Sequence, residues 1–307
     1  LTSQFFTYTG VDVNGQPVGR VNLGAPYSSN GEFGQPKVAA LLSATDLKPN
    51  QQDELIIGFE KAFSQDLNFG AKFTYRRQVS MIDDYCDLQP FVDYAARNGI
   101  TIGPRYADFG GMASTPGCVY FNPGRDNTFR VDYMGNGNPA DFRSVTLSAA
   151  DMGFGSNMVG KPGPAERTYA AIDLFAEHPL RNGWYGKIHY TYSRNEGNAE
   201  GQTNSDTGQL DIGETAAWDF GPLSQYAHGL LPNDRTHQIK AYGFVELNPE
   251  WTMGVNVLLA SGRPISCIGQ LPDQAQDTLG YGSAFHYCDG KPSPRGTSGN
   301  LPWDKRM

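Results

Sequence analysis

The residues that could perform acid–base or nucleophilic chemistry do not form a recognisable catalytic set. Asp83-Asp84 and Asp234-Arg235 place ionisable groups side by side, yet neither pair is accompanied by a nucleophile with a base and an orienting group. The sequence contains no Gly-x-Ser-x-Gly or His-Glu-x-x-His motif, and the glycines on either side of Phe154 lack the spacing of a dinucleotide-binding loop. We therefore predict that the protein is not an enzyme.

Oxygen ligands suited to a hard cation are concentrated in segment 204–214. Asp206, Asp211 and Glu214 supply carboxylates of the kind that calcium prefers. Their spacing is not that of an EF-hand loop, and acidic surface loops are usually only solvated. The sequence predicts no cofactor and no metal, and it leaves a calcium site in this loop as an open alternative.

The four cysteines lie in two turn-rich neighbourhoods and not in periodic strands. Three connectivities are formally possible, and closure of local loops favours the one in which each cysteine pairs with its neighbour in the sequence. A zinc site is the alternative, but the sequence has no Cys-x-x-Cys or clustered Cys/His spacing. Disulfides imply an oxidising compartment. The predicted pairs are Cys86 with Cys118 and Cys267 with Cys288.

Long β-hairpins must position the polar side chains. Runs 237–247 and 251–261 alternate apolar and polar residues on either side of Asn248-Pro249-Glu250, and in the first run Phe244 is the one large apolar residue on the polar face. Each run has about ten residues or slightly more, which a tilted strand needs to cross a bilayer, whereas an average strand has about five or six. A membrane-crossing hairpin and a hairpin of a large soluble β-sandwich are both consistent with this stretch.

Two further hairpins repeat the design at about 53–77 and 167–194, so the sequence predicts six long strands, with the third hairpin at about 235–262. Residues 1–50 are expected to form loops and short strands. The connections at about 83–166, 197–234 and 263–302 are long and rich in Gly, Asn, Asp and Pro. Short turns at one end and long loops at the other are typical of bacterial outer-membrane barrels.

Composition narrows the class of protein further. No apolar run approaches the roughly 18–20 residues of a transmembrane helix, and the mean hydropathy is −0.47. The net charge is −8 and the basic residues are scattered, which argues against nucleic acid as a partner. The first residues, Leu1 to Phe6, have neither the basic nor the apolar region of a signal peptide, so the start is expected to be a processed terminus or a cut.

Eight segments, in this order, resemble parts of TonB-dependent outer-membrane receptors of the Oar-like type. They extend over most of residues 45–307, and their ordered succession is more specific than any one of them. The segments are Asp53–Glu60, Tyr75–Arg77, Ile82–Cys86, Phe121–Gly124, Gly197–Gln202, Leu231–Arg235, Ser261–Pro264 and Gly290–Gly296.

The resemblance implies an all-β, antiparallel transmembrane barrel of about 22 strands with a plugged lumen and extracellular loops. Residues 1–307 would form part of that barrel in the outer membrane of a Gram-negative bacterium, in contact with its lipid and without the plug domain or a terminal aromatic strand. A periplasmic TonB-type protein would energise uptake of an unidentified ligand through segments outside this sequence. Alternation places six polar residues toward the lumen: Lys72, Arg76, Lys187, His189, Gln238 and Lys240.

The basic residues in this set suggest an anionic ligand, or charges that balance an acidic plug surface. Two other functions stay open. One is a surface-exposed adhesive or secretion-linked outer-membrane β protein that imports nothing. The other is a soluble secreted β-sandwich, which would bury five side chains in a protein core: Trp184, Ile188, Tyr190, Val255 and Val257.

Overall fold

The computed structural model describes residues 2–24, 27–28, 39–103, 118–135, 138–155, 157–201, 203–209 and 215–306. The chain divides into two compact units. One comprises Leu1–Leu47, Asp84–Phe121 and Asp126–Ser148. The other, which contains the long hairpins, comprises Lys48–Asp83, Asn122–Arg125 and Ala149–Met307.

The described residues form twenty β-strands and one α-helix. The strands are Thr2–Ser3 (β1), Phe6–Thr7 (β2), Gly10–Val11 (β3), Pro17–Val18 (β4), Val21–Asn22 (β5), Tyr27–Ser28 (β6), Gln51–Ser64 (β7), Leu67–Ser80 (β8), Asp83–Tyr85 (β9), Val119–Phe121 (β10), Asn127–Val131 (β11), Arg143–Leu147 (β12), Arg167–Arg181 (β13), Trp184–Gly197 (β14), Gly229–Leu230 (β15), His237–Asn248 (β16), Trp251–Ala260 (β17), Tyr287–Cys288 (β18), Lys291–Pro292 (β19) and Asp304–Arg306 (β20).

The helix is Gln89–Arg97 (α1), and short 3-10 turns occupy Ala39–Leu41, Pro139–Asp141, Ala216–Trp218, Gly221–Ser224 and Gln274–Gln276. Of the helices in the described part of the chain, none has both the length and the apolar character required to span a membrane.

The six long strands and the short strands β15 and β20 form one eight-stranded antiparallel sheet in the order β20-β17-β16-β14-β13-β8-β7, with β15 beside β14. The protein is thus rich in β-structure, as the sequence predicted. Among the described strands, β7 and β20 end the sheet and do not pair with each other. The three tight turns lie at one end of the sheet and the long connections at the other, because each long strand pairs with the next in a hairpin.

Local sequence explains each tight turn. Asn182 and Gly183 between β13 and β14 both adopt positive φ, of 53° and 77°, as a type I′ turn requires. Between β16 and β17, the Oδ1 of Asn248 accepts hydrogen bonds from the backbone N–H groups of Glu250 and Trp251, both at 2.9 Å. Between β7 and β8, the N–H of Asp66 donates to the Oγ of Ser64 at 3.2 Å. These turns set the register of the long pairs.

One face of this sheet, the apolar face, leaves large side chains uncovered. Rows such as Ile57–Phe73–Ile172–Tyr192 cross four adjacent strands. The exposed fraction is 43% for Trp184, 49% for Ile188 and 61% for Val255. The β-sandwich hypothesis required these side chains in a protein core, so the structure weighs against that hypothesis.

The first unit contains more regular structure than the sequence suggested. The predicted loop 83–166 includes α1 and strands β10 to β12. Phe91 of α1 packs edge-on against Phe129 at 5.1 Å between ring centroids, and the hydroxyl of Tyr133 donates to the carbonyl of Phe91. Helix α1 has nine residues, about two and a half turns, with a proline near its start. Its period is therefore too short to stand out in a Gly- and Pro-rich segment.

In the second unit, the loop-end core is a cluster of Phe220, Leu223, Leu271, Phe285 and Tyr287. Each of these side chains is at most 6% exposed. The loop-end core therefore gives the predicted loops 197–234 and 263–302 a shared apolar interior.

A disulfide joins Cys267 to Cys288 beside the loop-end core, and the second disulfide, in the other unit, joins Cys86 to Cys118. Next to the core, the buried Arg295 pairs with Asp206 through Nε and Oδ2 at 2.9 Å. Burial lowers the pKa of Arg295, and the charge of Asp206 opposes that shift.

Candidate functional site

One face of the sheet, here called the polar face, carries all six polar residues that the sequence assigned to the lumen. Lys72 lies opposite Asp173, which lies opposite Thr191, and Thr191 lies opposite Gln238. His189 and Lys240 face each other across β14 and β16. The strand register therefore brings side chains of β8, β14 and β16 together on this one surface, opposite the apolar face.

Most of the basic side chains on the polar face have acidic partners in neighbouring strands. Lys187 lies 2.8 Å from Glu177, and Lys72 lies 3.3 Å from Asp173. Arg76 forms an ion pair with Glu54. Asp173 also accepts a hydrogen bond from the hydroxyl of Thr191 at 2.6 Å.

No described carboxylate lies within 4.0 Å of Lys240, so it is a cation without an ion pair in the described part of the sheet. Sequence reasoning missed the acidic partners. They lie at polar positions of the alternating pattern, but the strand register determines which basic side chain each one contacts.

Aromatic rings occupy the turn end of the polar face. Phe244, the exception in the alternating pattern, lies 5.7 Å from Tyr185 in a stacked arrangement, and Tyr185 lies 6.2 Å from Tyr242. His189 lies 5.7 Å from the ring of Phe175 and 6.3 Å from that of Tyr242. His189 therefore belongs to an aromatic patch.

The loop end of the polar face contains a pocket of about 260 Å³. Arg76, Tyr169 and Asn195 stand in one row across β8, β13 and β14. Of the six pocket residues, only Arg76 was selected from the sequence, since the others become neighbours only through strand register and the fold of the loops. The lining residues are Gln52, Arg76, Arg167, Tyr169, Asn195 and Asn233.

Segment Leu231–Arg235 holds the pocket's loop wall in place. The Oδ1 of Asp234 accepts from the backbone N–H of Asn195 at 2.7 Å, and its Oδ2 accepts from the hydroxyl of Thr236. Arg235 donates to the carbonyl of Ser261 at 2.7 Å. Asp234-Arg235 therefore binds strand ends together.

Two buried asparagines lie in other segments that resemble TonB-dependent receptors, and their side chains also hold loops to strand ends. The Nδ2 of Asn122 donates to the carbonyls of Lys48 and Met81. The Nδ2 of Asn198 donates to the carbonyls of Pro162 and Pro164, and its Oδ1 accepts from the N–H of Glu166 at 2.7 Å. These amides join loop backbone to strand ends.

The acidic loop considered for calcium is only partly described. Asp206 is bound to Arg295, while Asp211 and Glu214 lie outside the described residues. In the described part of this loop, the carboxylate of Asp206 therefore binds the guanidinium group of Arg295.

The chain is similar to the TonB-dependent transporter Oar of Myxococcus xanthus, with 26% identity over 264 residues. The match covers 84% of the chain and 18% of that transporter, so the chain spans less than a fifth of its relative's length. The chain has a distant, receptor-like relationship to TonB-dependent transporters. A relative that is a transporter fits the expectation that this protein is not an enzyme. No family model matches the chain, and no solved structure matches it.

Proposed function

We propose that residues 1–307 form part of the barrel of a TonB-dependent outer-membrane receptor. The observation that carries the proposal is a sheet of six long antiparallel strands with an uncovered apolar face and a polar face. A strand of 14 residues, such as β14, extends about 46 Å at ~3.3 Å per residue. That length exceeds the apolar layer of an outer membrane even when the strand is tilted by ~40°.

Aromatic side chains on the apolar face support a membrane position. Trp184 and Trp251 lie near the tight turns, while Tyr192, His237 and Trp303 lie near the loop end, with His237 stacked on Trp303 at 6.3 Å. Trp184 and Tyr192 are separated by about 26 Å along the strand, or about 20 Å along the membrane normal for a tilted strand. Barrels carry aromatic girdles at both edges of an apolar band about 25 Å tall.

In this proposal the long loops face the cell exterior, and Lys72, Arg76, Lys187, His189, Gln238 and Lys240 face the lumen. The loops capture a ligand and the polar face lines its path. A periplasmic TonB-type protein energises uptake through segments outside this sequence, as the similarity to a TonB-dependent transporter suggests. The ion pairs within the sheet allow the lumen charges to be buried beside a plug.

Two matched cysteine substitutions test the orientation. Ala275 lies in the loop between β17 and β20, and Glu250 lies in a tight turn; both are exposed. In intact Gram-negative cells, a membrane-impermeant maleimide should label Ala275→Cys, and it should label Glu250→Cys only after the outer membrane is permeabilised. Labelling of both positions in intact cells, or recovery of the complete gene product as a detergent-free soluble monomer, would contradict the proposal.

A second measurement separates import from adhesion or secretion. The complete gene product in detergent should bind the C-terminal domain of a TonB-type protein. A correctly oriented membrane protein that fails to bind this domain would assign the chain to an adhesive or secretion-linked protein.

A further inference from the structure

The pocket at the loop end of the polar face has the features of a binding site for an anion. Its floor is the row Arg76–Tyr169–Asn195, and Glu54 lies opposite Arg76 at the end of that row. Its volume of about 260 Å³ admits a group the size of one sugar ring. The pocket lies at the end of the sheet that a ligand would reach first if the long loops face the exterior.

Arg76 presents an oriented and partly unused guanidinium group. Its Nε is bound to Glu54, and its side chain is 44% exposed. The guanidinium carbon lies 5.7 Å from the centre of the Tyr169 ring. Neither Nη group donates to any described residue. Two parallel N–H donors in one plane match the two oxygens of a carboxylate.

Arg167 contributes a second, more firmly held positive charge. One Nη donates to the carbonyl of Glu200 at 2.5 Å and the other to the Oε1 of Gln78 at 3.2 Å. Glu54 balances the charge of Arg76, the charge of Glu200 acts on Arg167, and the carboxylate of Asp234 lies against Asn195. The preference for an anion therefore rests on the unused Nη donors of Arg76 and not on an excess of positive charge.

Amide groups complete the wall. The Nδ2 of Asn195 donates to the Oδ1 of Asn233 at 2.5 Å, and the Oδ1 of Asn195 has no hydrogen-bond partner among the described residues. Gln52 supplies a third amide. Each amide offers both donors and an acceptor, which suits hydroxyl groups, since a hydroxyl also donates and accepts.

We infer that this pocket binds the carboxylate of an acidic sugar, with Arg76 as the anchor for the anion and the amides as partners for the ring hydroxyls. The inference rests on the proposed function, because it takes the polar face to be the surface that meets the ligand. It predicts selection of a uronate over the neutral sugar of the same shape.

Calorimetric titration of the complete gene product in detergent, with glucuronate and with glucose as probes, tests the inference. Glucuronate should bind at least tenfold more tightly than glucose, and Arg76→Gln should remove that difference. Arg194→Gln is the matched control, because Arg194 lies opposite Ala170 on the other face, is 61% exposed and pairs with Glu196 at 2.7 Å. It should leave glucuronate binding unchanged.

Arg76→Lys keeps the charge and loses the planar pair of donors, so it should bind glucuronate more weakly than the native protein and more tightly than Arg76→Gln. Equal binding of glucuronate and glucose, no binding of either, or an Arg76→Gln variant that binds glucuronate normally would overturn the inference. Inorganic phosphate that competes better than glucuronate would also overturn it.

The maleimide experiment keeps this inference separable from the proposed function. If Ala275→Cys and Glu250→Cys label as expected while glucuronate fails to bind, only the ligand assignment is wrong. If the labelling pattern fails, the proposed function itself is wrong.

Discussion

Asn198 connects the start of β13 to the end of β14, and replacing its side chain should increase local unfolding of these two strand ends. The side chain is 3% exposed. Its three hydrogen bonds are 2.7–2.9 Å long and reach Glu166, Pro162 and Pro164. Asn198→Ala leaves one N–H and two carbonyl groups without these partners.

The magnitude follows from those three bonds. A typical hydrogen bond contributes about 1 kcal/mol net, and a buried group left unsatisfied costs about 1–3 kcal/mol. Three lost bonds therefore amount to about 3 kcal/mol. Because about 1.4 kcal/mol corresponds to a factor of ten, local opening should become roughly 100-fold more frequent.

Hydrogen–deuterium exchange of the complete gene product in detergent measures this opening. Amides in segments 163–168 and 196–200 should exchange roughly 100-fold faster in Asn198→Ala, while the centres of β13 and β14 keep their protection. Asn198→Asp should be at least as harmful, since it directs a carboxylate at two carbonyl oxygens. Asn256→Ala, at an exposed position of β17, is the control. A less than tenfold change in Asn198→Ala would refute the account of Asn198 as the link between these strand ends.

Three further predictions concern the loop ends. Burial lowers the pKa of His286 to about 3, and the charge of Arg295 adds to that effect; the unfolded chain therefore binds the proton more readily between pH ~3 and ~6.5. The urea midpoint should fall as pH decreases through that window, and His286→Gln should make the midpoint less dependent on pH. An equally steep pH profile in this variant would assign the acid sensitivity to other groups. A Cβ at Gly262 would lie 1.5 Å from the carbonyl oxygen of Leu301, but one at Gly254 would meet nothing closer than 3.5 Å. Gly262→Ala should thus lower the urea midpoint and Gly254→Ala should not, and equal midpoints would disprove the close approach. Non-reducing peptide mapping should find two disulfides, and free thiols at all four positions would contradict an oxidising location; the expected links are Cys86 with Cys118 and Cys267 with Cys288.

Alternation alone was sufficient to place residues on the two faces of the sheet. Lys72 and Lys187 are far apart in sequence, yet a period of two assigned both to one surface because each strand is long and regular. The register of the strands could not be predicted from the sequence, since it depends on turn geometry and on pairing between distant strands. The partnership of Lys187 with Glu177 and the row that joins Arg76 to Asn195 therefore required the structure.

The predicted loops show where local pattern fails. Segments such as 215–231 and 264–296 have little periodicity, so the sequence indicated only irregular connections. Their order comes from contacts between distant residues, such as Phe220 with Phe285 at 6.0 Å and Asp206 with Arg295. Such contacts leave no periodic signal in either segment.

The segments that resemble TonB-dependent receptors account for the attachment of loops to the sheet better than for the lining of the pocket. Asn122, Asn198 and Asp234 lie in three of these segments, and each uses its side chain to satisfy backbone groups at strand ends. Four of the six pocket residues lie outside the segments: Gln52, Arg167, Tyr169 and Asn195. The residues that attach the long loops to the sheet and the residues that line the pocket are therefore largely different. The proposed acidic-sugar ligand rests on the pocket chemistry of this chain, where Arg76 provides the most specific group, and not on the identity of a relative.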